Sequence, residues 1–393
     1  MKAQVSGAQI RNIRTRYRLV LPISLVATGL AFLRAVAGLV VCASLYGVGR
    51  PCSPIPRPYL QGLTSYQGGV MSHETISQIP ATIRAFAIDR FGEPGALRTL
   101  PTPEIGPDEI LVRVHAAGVN PIDEKIRDGF KAIGDVRFPF ILGQDAAGVV
   151  ARIGPQVTQF GVGDAVYGAF WLAGAFAEYV RVPIMHAAVA QKPATLDFAQ
   201  AAALPTPALA ALTALRAVTI TPGDTLLIVG ATGGVGSYAV QMAARCGARV
   251  IATARADAEA YVRQLGAVEV IDYTQHDPVT AVKAAHPQGI DALIDVISDR
   301  TVLPHMAETL RAGGRLATTT HSADEVTLAA RGIRATNVDV FGTTGGLDDV
   351  ARFIDAGGVT VPLEHTFPLE ATADALAAMH AGHMRGKLVL TVA

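Results

Sequence analysis

The sequence predicts an α/β fold in which a β-rich domain is followed by a doubly wound parallel sheet. Three observations predict it. Leu226-Leu-Ile-Val-Gly-Ala-Thr-Gly-Gly-Val-Gly236 is an apolar run ending in a glycine cluster, and a helix-period segment, Ser237-Tyr-Ala-Val-Gln-Met-Ala-Ala-Arg245, opens directly from it. Short apolar runs at Leu226–Val229, Val250–Thr253, Val268–Ile271, Leu293–Val296 and Leu316–Thr318 are separated by helical patterns, as in a parallel sheet covered on both faces. Upstream, Ile83–Ile88, Ile110–Val114, Ala147–Ile153 and Phe176–Val182 read as strands between turns such as Phe91-Gly-Glu-Pro-Gly95 and Gly161-Val-Gly-Asp164.

At 393 residues the chain holds two domains with cores of their own. Half of its residues are hydrophobic and 17% are charged, which excludes a disordered chain. The zero net charge conceals an asymmetry. Residues 1–73 carry eight Lys and Arg and no Asp or Glu, so the remainder has 25 basic against 33 acidic residues. An acidic body argues against a nucleic-acid surface.

The N-terminal stretch, residues 1–70, reads as an extension. A basic cluster, Arg11–Arg18, precedes two apolar runs, Leu19–Leu33 and Ala35–Gly49, in the pattern of an anchor or targeting segment, with Pro22 and Arg34 weakening a span. Membrane contact is expected only if residues 19–49 are a real anchor. A competing expectation makes Met71 the true start, because the acid-free composition ends there and the first core-like strand soon follows. A cytoplasmic location is expected, since anchoring would carry the globular part away from its coenzyme pool.

The β-rich domain is expected over residues 81–204 and the dinucleotide domain over 205–338, with Pro207–Val218 as the connecting helix. Val338–Gly342, helices near Leu347–Asp355 and Glu370–Ala381, and a strand at Lys387–Val392 return the chain to the first domain, which 339–393 completes. A cleft between the two is the expected ligand site.

The glycine loop reads Ala231-Thr-Gly233-Gly-Val-Gly236, with alanine at the first position of the usual G-x-G-x-x-G. Gly233 lets backbone N–H groups approach a pyrophosphate, Gly236 lets the helix pack on the strand, and the helix N-terminus faces the phosphates. Thr232, Gly234 and Val235 complete the expected cradle. Roughly 20 residues beyond, an NAD site carries an acidic residue for the ribose 2′-hydroxyl. Here that count lands on Ala254, followed by Arg255, whose guanidinium suits a 2′-phosphate. NADP(H) is therefore the expected cofactor.

Several further stretches resemble the medium-chain dehydrogenase/reductase superfamily and its zinc-independent quinone oxidoreductase branch, from about Ala81 to Val392. They are Gly118-Val-Asn-Pro-Ile-Asp123, Phe138-Pro-Phe-Ile-Leu-Gly-Gln-Asp-Ala-Ala-Gly148, Val162-Gly-Asp-Ala-Val-Tyr-Gly168, Gly174-Ala-Phe-Ala-Glu-Tyr-Val180, Ala201-Ala-Ala-Leu-Pro205 with Leu212-Thr-Ala-Leu215, and Gly386-Lys-Leu-Val-Leu390. The resemblance implies a GroES-like catalytic domain plus a Rossmann domain, as a homodimer. Zinc-dependent relatives hold their metal with Cys, His-Glu and a further Cys. This chain has Asn120 and Gln144-Asp145 at the first two, and no Cys between Cys52 and Cys246, so no metal is expected.

Without a metal, hydride transfer to a quinone or α,β-unsaturated carbonyl is favoured over alcohol oxidation, because the charge spreads over a conjugated oxygen. Asn120 is the first choice for a polar group by the nicotinamide. Asp123 is expected to orient backbone or its basic neighbours, and Tyr167 either donates to substrate or is structural. The resemblance places Thr213 near the nicotinamide amide. Phe341 covers the ring, Tyr273 lies along the adenosine, and Lys387 is a weaker candidate for that same end. Two alternatives remain: an enoyl-thioester reductase, or a non-catalytic NADPH-binding structural or regulatory protein.

Overall fold

Long β-branched runs and clustered glycines sort this chain into two sheets of opposite character. The computed structural model describes residues 78–129 and 136–392, which lie within one of the two units into which the chain divides. The extension over residues 1–70 lies outside the described residues. Among the described residues no helix is long and apolar enough to cross a membrane.

The first part of the fold is antiparallel. Its strands are β1 (Thr82–Ile88), β2 (Ala96–Pro101), β3 (Glu109–Val119), β4 (Phe140–Ile141), β5 (Asp145–Ile153), β6 (Ala165–Ala169), β7 (Tyr179–Pro183) and β8 (Ala188–Gln191), with helix α1 (Pro121–Arg127) after β3. Strands β1, β2 and β4 form a small sheet, while β3 sits inside a larger one, paired with β5 and β7. Phe170 and Phe176 are fully buried in its core with Ile110, Val112 and Val150.

Two short helices bridge the domains, α2 (Phe198–Ala202) and α3 (Pro205–Ala217). Small residues, Ala201–Ala203 and Ala208, let α2 and α3 join a core cluster that also contains Tyr167 and Tyr238. The parallel sheet follows. Its strands are β9 (Thr225–Val229), β10 (Arg249–Ala254), β11 (Glu269–Asp272), β12 (Ile290–Asp295), β13 (Leu310–Thr318) and β14 (Arg334–Asn337), in the order β11-β10-β9-β12-β13-β14. Crossover helices α4 (Gly234–Arg245), α5 (Glu259–Gln264), α6 (Pro278–Ala285), α7 (Leu303–Met306) and α8 (Glu325–Ala330) connect them. The strand order reverses between β9 and β12, and such a switch point opens a crevice at the strand C-termini where ligands bind.

The chain then returns through α9 (Leu347–Asp355), β15 (Leu363–Pro368), α10 (Thr372–Ala381) and β16 (Lys387–Thr391). Strand β16 slots between β15 and β3, parallel to one and antiparallel to the other. This α/β architecture is the GroES-like plus Rossmann arrangement that the motifs imply. Two stretches differ from expectation. Regular strand begins only at Tyr179, because Ala175 and Phe176 bond Gly143 and Leu142, and Phe176 O accepts from Phe86 N, instead of joining the β3 ladder. Edge strand β14 is the second, an unexpected strand whose polar sequence Arg-Ala-Thr-Asn carries no apolar signal.

Candidate functional site

The glycine loop links β9 to α4, with Gly233 as the helix N-cap. A Cβ on Gly233 would have only Gly230 O for a neighbour, at 3.9 Å, so this backbone stays open to a ligand. A Cβ on Gly236 would lie 2.1 Å from Gly230 O, which makes glycine obligatory where the helix packs on the turn. Beside the loop is a cavity of about 790 Å³, mostly apolar, into which Thr232, Gly233, Gly234, Val235 and Gly236 project. Ala231 is fully buried beneath the loop and does not reach the cavity surface.

The wall beside Gly230 of the loop belongs to the turn after β12. Asp295 is fully buried, and its Oδ1 accepts from Ile297 N at 3.0 Å and Ser298 N at 2.8 Å, shaping the Val296–Asp299 rim of the cavity. These residues escaped sequence reading, although the switch-point rule pointed to the C-terminal end of β12. Tyr273, half-exposed after β11, lines the same side with Pro278.

Next to the loop lies a buried charge cluster, of which Asn120 and Lys387 line the cavity. Asn120, the N-cap of α1, donates from Nδ2 to Asp145 Oδ2 at 2.9 Å, while its Oδ1 accepts from Lys387 Nζ at 2.7 Å. Lys387 Nζ also donates to Val119 O at 2.5 Å. Asp145 accepts from Thr206 N and Oγ1, the latter at 2.6 Å. Asp123 Oδ2 takes the Asn120 N–H at 2.8 Å, so Asp123 orients backbone, and its Oδ1 is buried with no partner among the described residues. Both carboxylates are fully buried, and Asn120 and Lys387 are 4% exposed.

Burial dominates the electrostatics here. Desolvation pushes the Asp123 carboxyl up to about 8 against the pull of the Asn120 N–H, with the Asp145 charge adding to the rise. Desolvation also raises Asp145, opposed by Lys387, Thr206 and Asn120. It lowers the Lys387 ammonium, opposed by Asp145 and Asp123. An ammonium has three donors and a primary amide two N–H. The bonds made among the described residues leave one N–H on each of Lys387 and Asn120, and both residues line the cavity.

This donor set does not suit a zinc ion. Asn120 and Asp145 are already engaged with each other, and a lysine ammonium occupies the cluster where a cation would have to sit.

Several expected site residues lie elsewhere. Tyr167 is fully buried, its hydroxyl donates to Leu347 O at 2.9 Å, and burial holds it well above the ordinary tyrosine range. It ties β6 to α9 and is structural. Thr213 stands two turns along α3 from Thr206 and does not line the cavity, whereas Pro207 of the same helix does. Phe341 packs against Trp171, ring centroids 5.4 Å apart, away from the cavity wall. Arg255 also stays off the wall; it follows β10, with Nε 3.6 Å from Asp257 Oδ1. Lys387 sits not at the adenosine end but under the loop, so near that a Cβ on Gly234 would lie 2.8 Å from its Cδ.

The comparisons with known proteins agree with this layout. Residues 106–194 match the alcohol dehydrogenase GroES-like domain, and residues 234–357 match the zinc-binding dehydrogenase family. The chain is 32% identical over 365 residues to human mitochondrial NAD(P)H oxidoreductase RTN4IP1, covering 81% of this chain and 91% of that protein. It is 31% identical to the chloroplastic NADPH-dependent alkenal/one oxidoreductase of Arabidopsis thaliana, covering 80% and 81%. Among solved structures, the quinone oxidoreductase from Coxiella burnetii superposes with a TM-score of 0.71 at 30% identity, covering 79% of this chain and all of that one.

Proposed function

Because the chain belongs to the medium-chain dehydrogenase/reductase superfamily, we propose that it is an NADPH-dependent, zinc-independent reductase of quinones or α,β-unsaturated carbonyls. One observation carries the reading: an apolar cavity is lined by the glycine loop together with Lys387 and Asn120, and Asn120 stands where a zinc enzyme would need a metal ligand. The relatives named for alkenal/one and quinone reduction support the substrate class.

Bound NADPH would supply the hydride, and everything else falls to the chain. The loop from Thr232 to Gly236 and the start of α4 would hold the coenzyme diphosphate. The apolar walls exclude water and orient a flat acceptor against the nicotinamide. Asn120 keeps one amide N–H for the acceptor oxygen, where negative charge develops. The hydrogen bonds from Lys387 and to Asp145 fix the amide plane, so this donor needs no reorganisation. The balancing proton comes from solvent. A cytoplasmic homodimer belongs to the same proposal, and light scattering of the purified protein tests the dimer.

NADPH oxidation measured with a quinone, an enone and a crotonyl-type thioester tests the chemistry. Turnover with the quinone or enone is expected. Turnover confined to the thioester would make it an enoyl-thioester reductase. Tight NADPH binding without turnover on any of the three would make it a binding protein.

A further inference from the structure

Beside the Met384 and Gly386 wall of the cavity, two arginines from different domains converge on one carboxylate. Arg255 follows β10, and the C-terminal end of this strand is where a Rossmann domain reads the coenzyme's adenosine ribose. Two residues on, Asp257 presents its carboxylate to the Arg255 Nε at 3.6 Å and to the Arg385 Nη2 at 2.7 Å. Arg385 belongs to the segment leading into β16, on the catalytic side of the fold.

That segment is fastened to the phosphate loop. Gly386 N donates to Thr232 O at 2.9 Å, and Gly386 forms a parallel bridge with Gly233. Gly386 adopts φ +106°, and a Cβ there would lie 2.3 Å from Pro362 O, so the backbone that carries Arg385 has one available path. Met384 and Gly386, on either side of Arg385, line the cavity. All three charged side chains are open to solvent, at 46% for Arg255, 43% for Arg385 and 60% for Asp257.

We propose that Arg255 and Arg385 together form the seat for the coenzyme 2′-phosphate, and that Asp257 occupies this seat when no coenzyme is bound. The inference rests on the NADPH reading above and names a further specificity residue, Arg385. A phosphate monoester carries more charge than a carboxylate and has three acceptor oxygens, so it takes both guanidinium forks at once. Asp257 must turn away to admit it, and its carboxylate then repels the incoming phosphate. Exposed ion pairs exchange at little cost. The seat therefore draws one arginine from each domain.

The two kinds of substitution have opposite expected effects. Dissociation constants for NADPH and NADH, from fluorescence titration of the full-length protein, read them directly. Arg385→Ala is expected to weaken NADPH by about tenfold or more while NADH changes little. Arg385→Lys, which keeps the charge, should recover part of that loss. Asp257→Asn is expected to tighten NADPH by about two- to fivefold, because the competing carboxylate is gone. A wild-type protein that binds NADPH no better than NADH overturns the cofactor reading, and this proposal with it. A wild type that prefers NADPH, with Arg385→Ala unchanged in that preference, overturns the proposal alone. Weaker NADH binding in Asp257→Asn, with NADPH unaffected, would assign Asp257 to the ribose hydroxyls and overturn it too.

Discussion

Two charge clusters, one at each end of the Arg385–Lys387 segment, use similar chemical groups under opposite conditions. At one end Lys387, Asp145 and Asp123 are buried with Asn120, and at the other Arg255, Asp257 and Arg385 are about half in water. Removed from solvent, charges are costly to separate and hold their neighbours in one geometry. Left in solvent, they are screened and exchange partners readily. The buried end is suited to fixing a reacting group, and the open end to admitting and releasing a ligand.

Substitutions should expose this contrast, the largest effect first. Lys387→Met strands Asp145 without its cation, and a loss of about 3–5 kcal/mol is expected in urea unfolding. A loss under about 1 kcal/mol would mean that the cluster behaves like a surface pair. Asn120→Ala removes the remaining amide donor. It should slow hydride transfer by about a hundredfold in single-turnover stopped flow while leaving NADPH binding nearly unchanged.

Asp123→Asn tests burial through pH. The native carboxyl titrates near 8 against an ordinary value of 3.8. Between these values the folded protein holds a proton that the unfolded chain has released, so this group costs stability as pH rises. The asparagine cannot titrate, yet its amide oxygen still accepts the Asn120 N–H. Its stability relative to the parent should therefore climb from about pH 4 to about pH 8. Parallel stability profiles for the two proteins would refute a raised Asp123.

The smallest effect belongs to the open end. Arg255→Ala is expected to raise the Michaelis constant for NADPH about tenfold more than that for NADH, with a difference that shrinks in high salt. Equal effects on both coenzymes would remove Arg255 from phosphate recognition.

Local pattern made much of this legible. The β9 loop with α4, and the runs that became β10 through β13, announce themselves by apolar period and glycine position. Asn120 was visible because it stands where relatives carry a metal ligand. What stayed hidden depends on distant pairing. Thr206 and Asp145 are 61 residues apart, and Lys387 reaches Asn120 across 267, so no window of sequence contains either bond. Sequence alone left Tyr167 open between substrate donor and structural residue, and the partner that decides it, Leu347 of α9, lies 180 residues later. Edge strand β14, polar and short, left no trace in the apolar pattern.

The placement of β16 has a consequence for biosynthesis. A nascent chain that has reached residue 380 already contains every glycine of the loop, yet it lacks the strand that brings Lys387 to Asn120 and Gly386 to Thr232. Coenzyme capture must then wait until the ribosome has released that strand. Pairings this remote in sequence form slowly, which places completion of the cleft late in folding.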